Sequence, residues 1–246
     1  MDLGLRGRRA AVAAASAGLG YASAAALAAE GVQVVICGRD RAKVDDAAAR
    51  IGHHCVAVVQ DVSDAAGGAA FVAAAAEVMG GVDIVVANAG GPPPGTFAST
   101  PLEAYEPALD LNLLSVVGMA KASIPAMQQQ RWGRFVAITS VSVRQPIPTI
   151  ILSNTARAGV TGFLKTVARE VAPDGVTVNT VQPGLHATAR AVQLGDPQAM
   201  AAGIPAGVLG DPSDFGSVVA FLCSEQAKFV TGLQLHVDGG AYGGLQ

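Results

Sequence analysis

Apolar residues fall along this chain in two alternating patterns. Short runs, nearly all apolar and rich in β-branched side chains, stand at Ala10–Ala14, Val32–Cys37, Cys55–Val59, Ile84–Ala87, Arg134–Thr139, Val176–Val181 and Leu233–Val237. Runs without regular polar alternation suit strands buried on both faces. Between them lie longer alanine-rich stretches of helical character: Gly20–Glu30, Arg41–Ile51, Ala65–Met79, Leu102–Gln130, Leu152–Val171 and Ser213–Ser224. Ser63-Asp64, Thr100-Pro101 and Asp211-Pro212-Ser213 carry helix-start signals, and Asp40 fits as the cap of the second helix. Strand followed by helix, repeated throughout, predicts one α/β domain over residues 1–246. Its frame is a doubly wound parallel sheet of about seven strands, with right-handed crossovers and helices on both faces.

No linker divides the chain. The Gly-Pro segment Gly90–Gly95 is too short for one and follows the carboxyl end of a strand, where ligands approach open α/β sheets. The glycine-rich Gly239–Gln246 reads as surface or interface.

Hydrophobic residues make up 51% of the chain and charged residues 14%, which excludes a largely disordered protein. A net charge of −3 without a basic cluster, and only 4% aromatics, exclude an electrostatic or base-stacking nucleic-acid partner. Arg6, Arg8 and Arg9 before the uncharged stretch Ala10–Ala29 imitate a secretory signal. Gly-Leu-Gly breaks that stretch, and Ser16 and Ser23 make it a poor membrane span. The expectation is a cytoplasmic protein that does not engage a membrane. Cys37, Cys55 and Cys223 match neither a metal-ligand spacing nor a disulfide framework and read as small core residues; no metal site is expected.

After the first strand comes Ala14-Ala15-Ser16-Ala17-Gly18-Leu19-Gly20 at a helix start. A turn of this kind aims backbone N–H groups and the positive helix end at a phosphate, with Ser16, Gly18, Leu19 and Gly20 as its ligand-facing residues. The second strand ends in Cys37-Gly38-Arg39. Arg39 cannot accept a hydrogen bond from a ribose 2′-hydroxyl but can pair with a 2′-phosphate, which favours NADP over NAD. Asp61-Val62, Asn88-Ala89-Gly90 and Pro183-Gly184 follow the third, fourth and sixth strands and reach the same edge.

In that order, with Leu111-Asn112-Leu113, Gly133-Arg134-Phe135-Val136, Val178-Asn179-Thr180-Val181-Gln182-Pro183-Gly184, Phe229-Val230-Thr231-Gly232 and Val237-Asp238-Gly239-Gly240, these residues resemble the short-chain dehydrogenase/reductase family. Among its branches the 3-oxoacyl carrier-protein reductases are the nearest likeness, and the resemblance runs from Leu5 to Gly240. It implies a Rossmann-type fold and hydride transfer between a nicotinamide and a carbonyl or alcohol. It also implies a catalytic asparagine at Asn112 and serine at Ser140, with Thr188 touching the cofactor amide. The family's tyrosine and lysine positions hold Ser153 and Arg157. Tyr21, Tyr105 and Tyr242 are the only tyrosines, and none is followed by lysine four residues on. The first glycine of the family's nucleotide turn is replaced by Ala14, and its usual threonine by Ala13.

A serine ionises far less readily than a tyrosine, and an arginine holds its proton, so Ser153 and Arg157 cannot act as the usual acid pair. Arg157 remains able to hold ribose hydroxyls or an oxyanion. His186, in the loop after Pro183-Gly184, is another candidate proton donor or a solvated loop residue. His53 and His54 read as structural or exposed, and Arg144 as solvated or as a contact for an acidic substrate. Three functions remain. One is an atypical NADP(H)-dependent oxidoreductase on a small-molecule carbonyl or alcohol, using Ser140, Ser153 and Arg157. Another is a nucleotide-binding or regulatory protein without redox turnover, and the last is lyase or isomerase chemistry with Arg157 as oxyanion clamp. The uncharged Val218–Leu222 predicts subunit contacts, and the resemblance implies a dimer or tetramer.

Overall fold

The structure is a computed structural model that describes residues 2–52, 54–192 and 196–245; the expectation for His53 lies outside them. Seven parallel strands form one sheet: β1 (Arg9–Val12), β2 (Gln33–Gly38), β3 (Cys55–Val59), β4 (Ile84–Ala87), β5 (Gly133–Ile138), β6 (Val176–Pro183) and β7 (Gln234–Val237), in the order β3-β2-β1-β4-β5-β6-β7. The chain returns to the sheet's middle between β3 and β4, so the order reverses between β1 and β4. Ligands of doubly wound sheets bind outside the carboxyl ends at that reversal.

Successive strand residues serve opposite layers. Ala11, Val35, Val85, Phe135 and Val178 pack beneath α3 (Ala65–Met79), α5 (Ser115–Gln129) and α6 (Ile151–Val171). Val12, Ile36, Val86, Val136 and Val181 pack beneath α1 (Gly18–Ala29), α2 (Arg41–Ile51) and α9 (Pro212–Cys223). Both faces are covered, which is why the strands read as continuous apolar runs. Cys37 and Cys223 are buried and Cys55 half-buried, all as free thiols; burial pushes Cys37, Cys55 and Cys223 each up to about 12. No helix among the described residues is long and apolar enough to cross a membrane.

Asp40, Asp64 and Asp211 cap their helices, accepting from the N–H groups of Lys43 (3.2 Å), Gly67 (2.7 Å) and Ser213 (2.7 Å). Thr100 does not cap. Its hydroxyl is buried without a partner among the described residues, and the chain beyond forms a 3-10 turn at Leu102–Ala104. The expected helix over Leu102–Gln130 is broken into α4 (Tyr105–Leu109), a π-helical segment Asp110–Leu114 and α5. One extra residue per turn there sends the Ser115 N–H to the Asp110 carbonyl. Short helices α7 (Ala189–Val192) and α8 (Pro197–Ala201) follow β6.

Val218–Leu222, the expected subunit contact, leaves little of its apolar surface to a partner. Val219, Ala220 and Leu222 are buried in the chain's own core, because α9 turns that face onto the sheet and α1, and only Phe221 stands substantially exposed.

Candidate active site at the carboxyl rim

The turn after β1 is shaped by Ala14, whose φ of +46° places an alanine in the left-handed region. That conformation costs an L-residue about 1–2 kcal/mol, so surrounding contacts must hold it. Its N–H donates to Cys37 Sγ (3.4 Å), and its carbonyl accepts from Asn88 Nδ2 (3.1 Å), which also reaches the Ala13 carbonyl (3.3 Å). Gly20 is required by the same clamp, since a methyl there would lie 2.7 Å from Asn88 Nδ2 and 2.9 Å from the Ala14 carbonyl. Gly18 takes φ +62°. The residue before α1, Ala17, offers no side-chain cap, so the first N–H groups of α1 remain available to an anion.

Ser16 stands beside the end of β2, where a methyl on Gly38 would lie 3.4 Å from its hydroxyl. Arg39, next along, is exposed and has no ion-pair partner among the described residues. Leu19 is half-buried against the α1 side of the core. Asp61 is exposed, its carboxylate accepting from the Ser63 N–H (3.0 Å). Val62 turns its side chain into the core, which leaves its backbone for a ligand.

Beyond Asn88, Ala89 is half-buried and Gly90 exposed. The Gly90 carbonyl accepts from Asn112 Nδ2 (2.8 Å), tying this loop to the π-helical segment, while Asn112 Oδ1 is buried without a partner among the described residues. Farther along, Gly95 exchanges backbone bonds with Thr149 (2.8 Å) and Ile151 (3.1 Å), which joins the Gly-Pro loop to the loop after β5.

At the end of β5, Ser140 opens a 3-10 turn, Val141–Val143, and its Oγ accepts from the Ser142 N–H (3.1 Å). With a lone pair engaged there, the hydroxyl proton is available to a substrate oxygen. Ser153 is buried in the first turn of α6 and Arg157 lies one turn later, half-buried. Arg157 Nη1 donates to the carbonyls of Ile138 (3.0 Å) and Thr139 (3.1 Å), at the strand end that carries Ser140. Gly159 of α6 packs beside Leu113, so the helix also abuts the π-helical segment holding Asn112. Asn112 and Ser140 thus lie on two segments that both meet α6, the helix that carries Ser153 and Arg157.

Pro183 ends β6, and the Gly184 N–H donates to the Val237 carbonyl (3.0 Å). Thr188 closes the loop over the nucleotide turn, its methyl 3.8 Å from the place a Cβ on Gly18 would occupy. Its hydroxyl accepts from the Ala191 N–H (3.3 Å).

A family model described as enoyl-(acyl carrier protein) reductase matches residues 13–242. The chain belongs to the short-chain dehydrogenase/reductase family. It is 36% identical over 242 residues to the 3-oxoacyl-(acyl-carrier-protein) reductase of Vibrio cholerae, covering 98% of this chain and 99% of that one. The corresponding reductase of Escherichia coli is 34% identical with the same coverage. Among solved structures, L-sorbose reductase from Gluconobacter frateurii, complexed with NADPH and L-sorbose, superposes with a TM-score of 0.94 at 28% identity and full coverage of both chains. The seven-stranded parallel sheet and its flanking helices are those of a short-chain dehydrogenase/reductase.

His186 is not a solvated loop residue. It is buried, with Nδ1 3.2 Å from the Gly184 carbonyl and its ring edge-on to Phe215 at 5.1 Å. Burial lowers its pKa from the usual value, outweighing the Gly184 hydrogen bond and the charge of Asp211. Arg144 is exposed in the loop after β5, and His54 is exposed before β3. The sequence reading missed Cys37 as the acceptor for the nucleotide turn and the Ser142 N–H as the group that orients Ser140. An apolar strand gives no sign of the first. The second is a backbone group, legible only as the Ser-Val-Ser spacing of a short turn.

Proposed function

We propose that this protein is an NADP(H)-dependent oxidoreductase that reduces a small-molecule carbonyl or oxidises the corresponding alcohol. The observation that carries the reading is the setting of Ser140, whose Oγ accepts from the Ser142 N–H at the carboxyl rim and so keeps its own proton for a ligand. The rim residues fit a dinucleotide. The uncapped start of α1 suits a pyrophosphate, and the unpaired Arg39 suits a 2′-phosphate. Its relative from Gluconobacter was solved with NADPH, which supports the same choice over NAD. A bound reduced nicotinamide supplies the hydride.

The residues divide the remaining work. Ser16, Gly18, Leu19 and Gly20 hold the pyrophosphate side, with Asp61, Val62, Asn88, Ala89 and Gly90 along the adenosine and ribose side. Pro183, Gly184 and Thr188 cover the nicotinamide end. Ser140 donates to the substrate oxygen, and Asn112 steadies the adjoining helix through Gly90. Arg157 fixes the β5 terminus and adds positive charge where negative charge develops on that oxygen. Ser153 replaces a tyrosine and supplies no ready proton, so turnover is slow and rests on positioning and oxyanion stabilisation.

Assays of NADPH oxidation with a panel of ketones and 3-oxoacyl thioesters test this. Ser140→Ala should lower kcat/KM by about 10²-fold, the cost of a removed oxyanion donor. A panel without turnover, alongside tight NADPH binding, favours the second reading: a nucleotide-binding regulator that lost redox chemistry. The two bonds from Arg157 Nη1 to strand carbonyls favour that alternative, because they draw the arginine towards the sheet. A single domain in the cytoplasm, assembled as a dimer or tetramer and binding neither nucleic acid nor membrane, completes the proposal.

A further inference from the structure

A buried polar pair at the ends of the last two strands has no part in the candidate site. Gln182 of β6 and His236 of β7 are register partners in the sheet, so their side chains leave the same face side by side. Gln182 is 0% exposed and His236 9%. Both polar atoms of the carboxamide and both ring nitrogens are buried without a hydrogen-bond partner among the described residues. The Tyr242 ring lies flat over the imidazole, with centroids 4.6 Å apart and planes 5° from parallel. Asp238 holds the segment that carries this cover, accepting from the N–H groups of Gly240 (2.9 Å) and Tyr242 (2.8 Å).

Buried polar groups in native proteins are almost always satisfied, so four unpaired atoms on two neighbouring residues point to a guest. A neutral imidazole offers one donor and one acceptor, and a carboxamide offers both. The guest must therefore donate and accept. Water has that chemistry and suits a small site beneath an aromatic ring.

We propose that Gln182 and His236 bind ordered water beneath Tyr242 and act as a positioning pair for the loop that begins at Pro183. The route to the rim is short. Gln182 directly precedes Pro183, and the Gly184 N–H donates to the carbonyl of Val237, the residue after His236 (3.0 Å). Gly184 presses on Asp238 so closely that a methyl there would lie 2.8 Å from its Cβ. The Gly184 carbonyl meets His186 Nδ1 (3.2 Å), and two residues later Thr188 reaches the nucleotide turn at Gly18. Displacing the strand ends shifts the loop over the nucleotide. The functional half of this proposal rests on the NADP(H) reading; the water site does not.

High-resolution crystals of the unliganded protein should show water bonded to both Gln182 and His236. Gln182→Met keeps the length and removes the bonds. It should lose the water and weaken NADPH binding about fivefold, the scale of one or two net hydrogen bonds, without lowering Tm. In hydride transfer the change should appear in KM for NADPH, with kcat within about twofold. His236→Gln, which restores a donor and an acceptor, should keep both water and affinity. Should Gln182→Met not accumulate, Tyr242→Ala opens the cover without touching the sheet and should weaken NADPH binding in the same direction. A direct Gln182–His236 hydrogen bond without water, or unchanged NADPH affinity in both Gln182→Met and Tyr242→Ala, overturns the proposal. Wild-type protein that ignores NADPH defeats the functional reading alone, since the crystal still decides the water site.

Discussion

Arg39 offers the sharpest test of cofactor choice. It is exposed at the end of β2 with no partner among the described residues, so replacing it with alanine disturbs no internal contact. A unit charge pair about 4 Å apart in water is worth roughly 1 kcal/mol, and a phosphate carries nearly two charges at neutral pH. Salt at physiological strength screens part of this. The expected loss in Arg39→Ala is about 1–2 kcal/mol, or roughly 5- to 30-fold in the Kd for NADPH. NADH lacks the 2′-phosphate and should bind the variant within about twofold of wild type. Fluorescence titration of both nucleotides at low and high ionic strength reads the effect. Added salt should narrow the wild-type preference for NADPH and leave the variant nearly unmoved. A change shared equally by NADH, or none for NADPH, refutes the assignment.

Other consequences are equally open to measurement. Ser153→Tyr combined with Arg157→Lys should raise reductase turnover by about 10²-fold or more, the usual contribution of a general acid; unchanged turnover indicates a repurposed site. His186→Gln should leave the pH profile of turnover unchanged, because the ring is buried between the Gly184 carbonyl and Phe215, whereas loss of a titrating limb would make His186 the proton donor. Asp83 is 4% exposed and accepts from Arg9 through its backbone N (3.0 Å), Nε (2.9 Å) and Nη2 (2.7 Å). Burial raises the carboxyl's pKa, but the bonds and charge of Arg9 outweigh it and hold the group below its usual value. Asp83→Asn should cost about 2–3 kcal/mol by denaturant unfolding at neutral pH, less than a fully buried pair because Arg9 keeps some solvent contact. The depressed folded pKa means this contribution is present above the unfolded carboxylate pKa near 3.9 and lost as pH falls through the lower folded value. The variant should therefore lose less stability than wild type across that acid range.

The sheet was readable because strands covered on both faces cannot hide their composition. Ile84–Ala87 and Cys55–Val59 have the expected boundaries, and the others shift by one or two residues where the ladder gives way to turns. β1 stops at Val12 because Ala14 twists into the left-handed region, a consequence of Cys37 and Asn88 that no local pattern contains. The break at Asp110–Leu114 was hidden for another reason: a π-turn inserts one residue without disturbing the apolar face on either side. The placement of Asp61, Asn88 and Pro183-Gly184 at strand ends was legible from the strand pattern, whereas the bond from Asn88 to the Ala14 carbonyl was not. His186 was misread because its burial depends on Phe215 and Gly210, both distant in sequence.

In the proposed function a dinucleotide binds across the β1–β4 reversal with its reactive end beside Ser140. A crystal structure of the protein grown with NADPH tests it most directly. The 2′-phosphate should lie at Arg39, the pyrophosphate on the first turn of α1 and the nicotinamide between Ser140 and Pro183-Gly184. A nucleotide bound elsewhere, or none at millimolar NADPH, contradicts it.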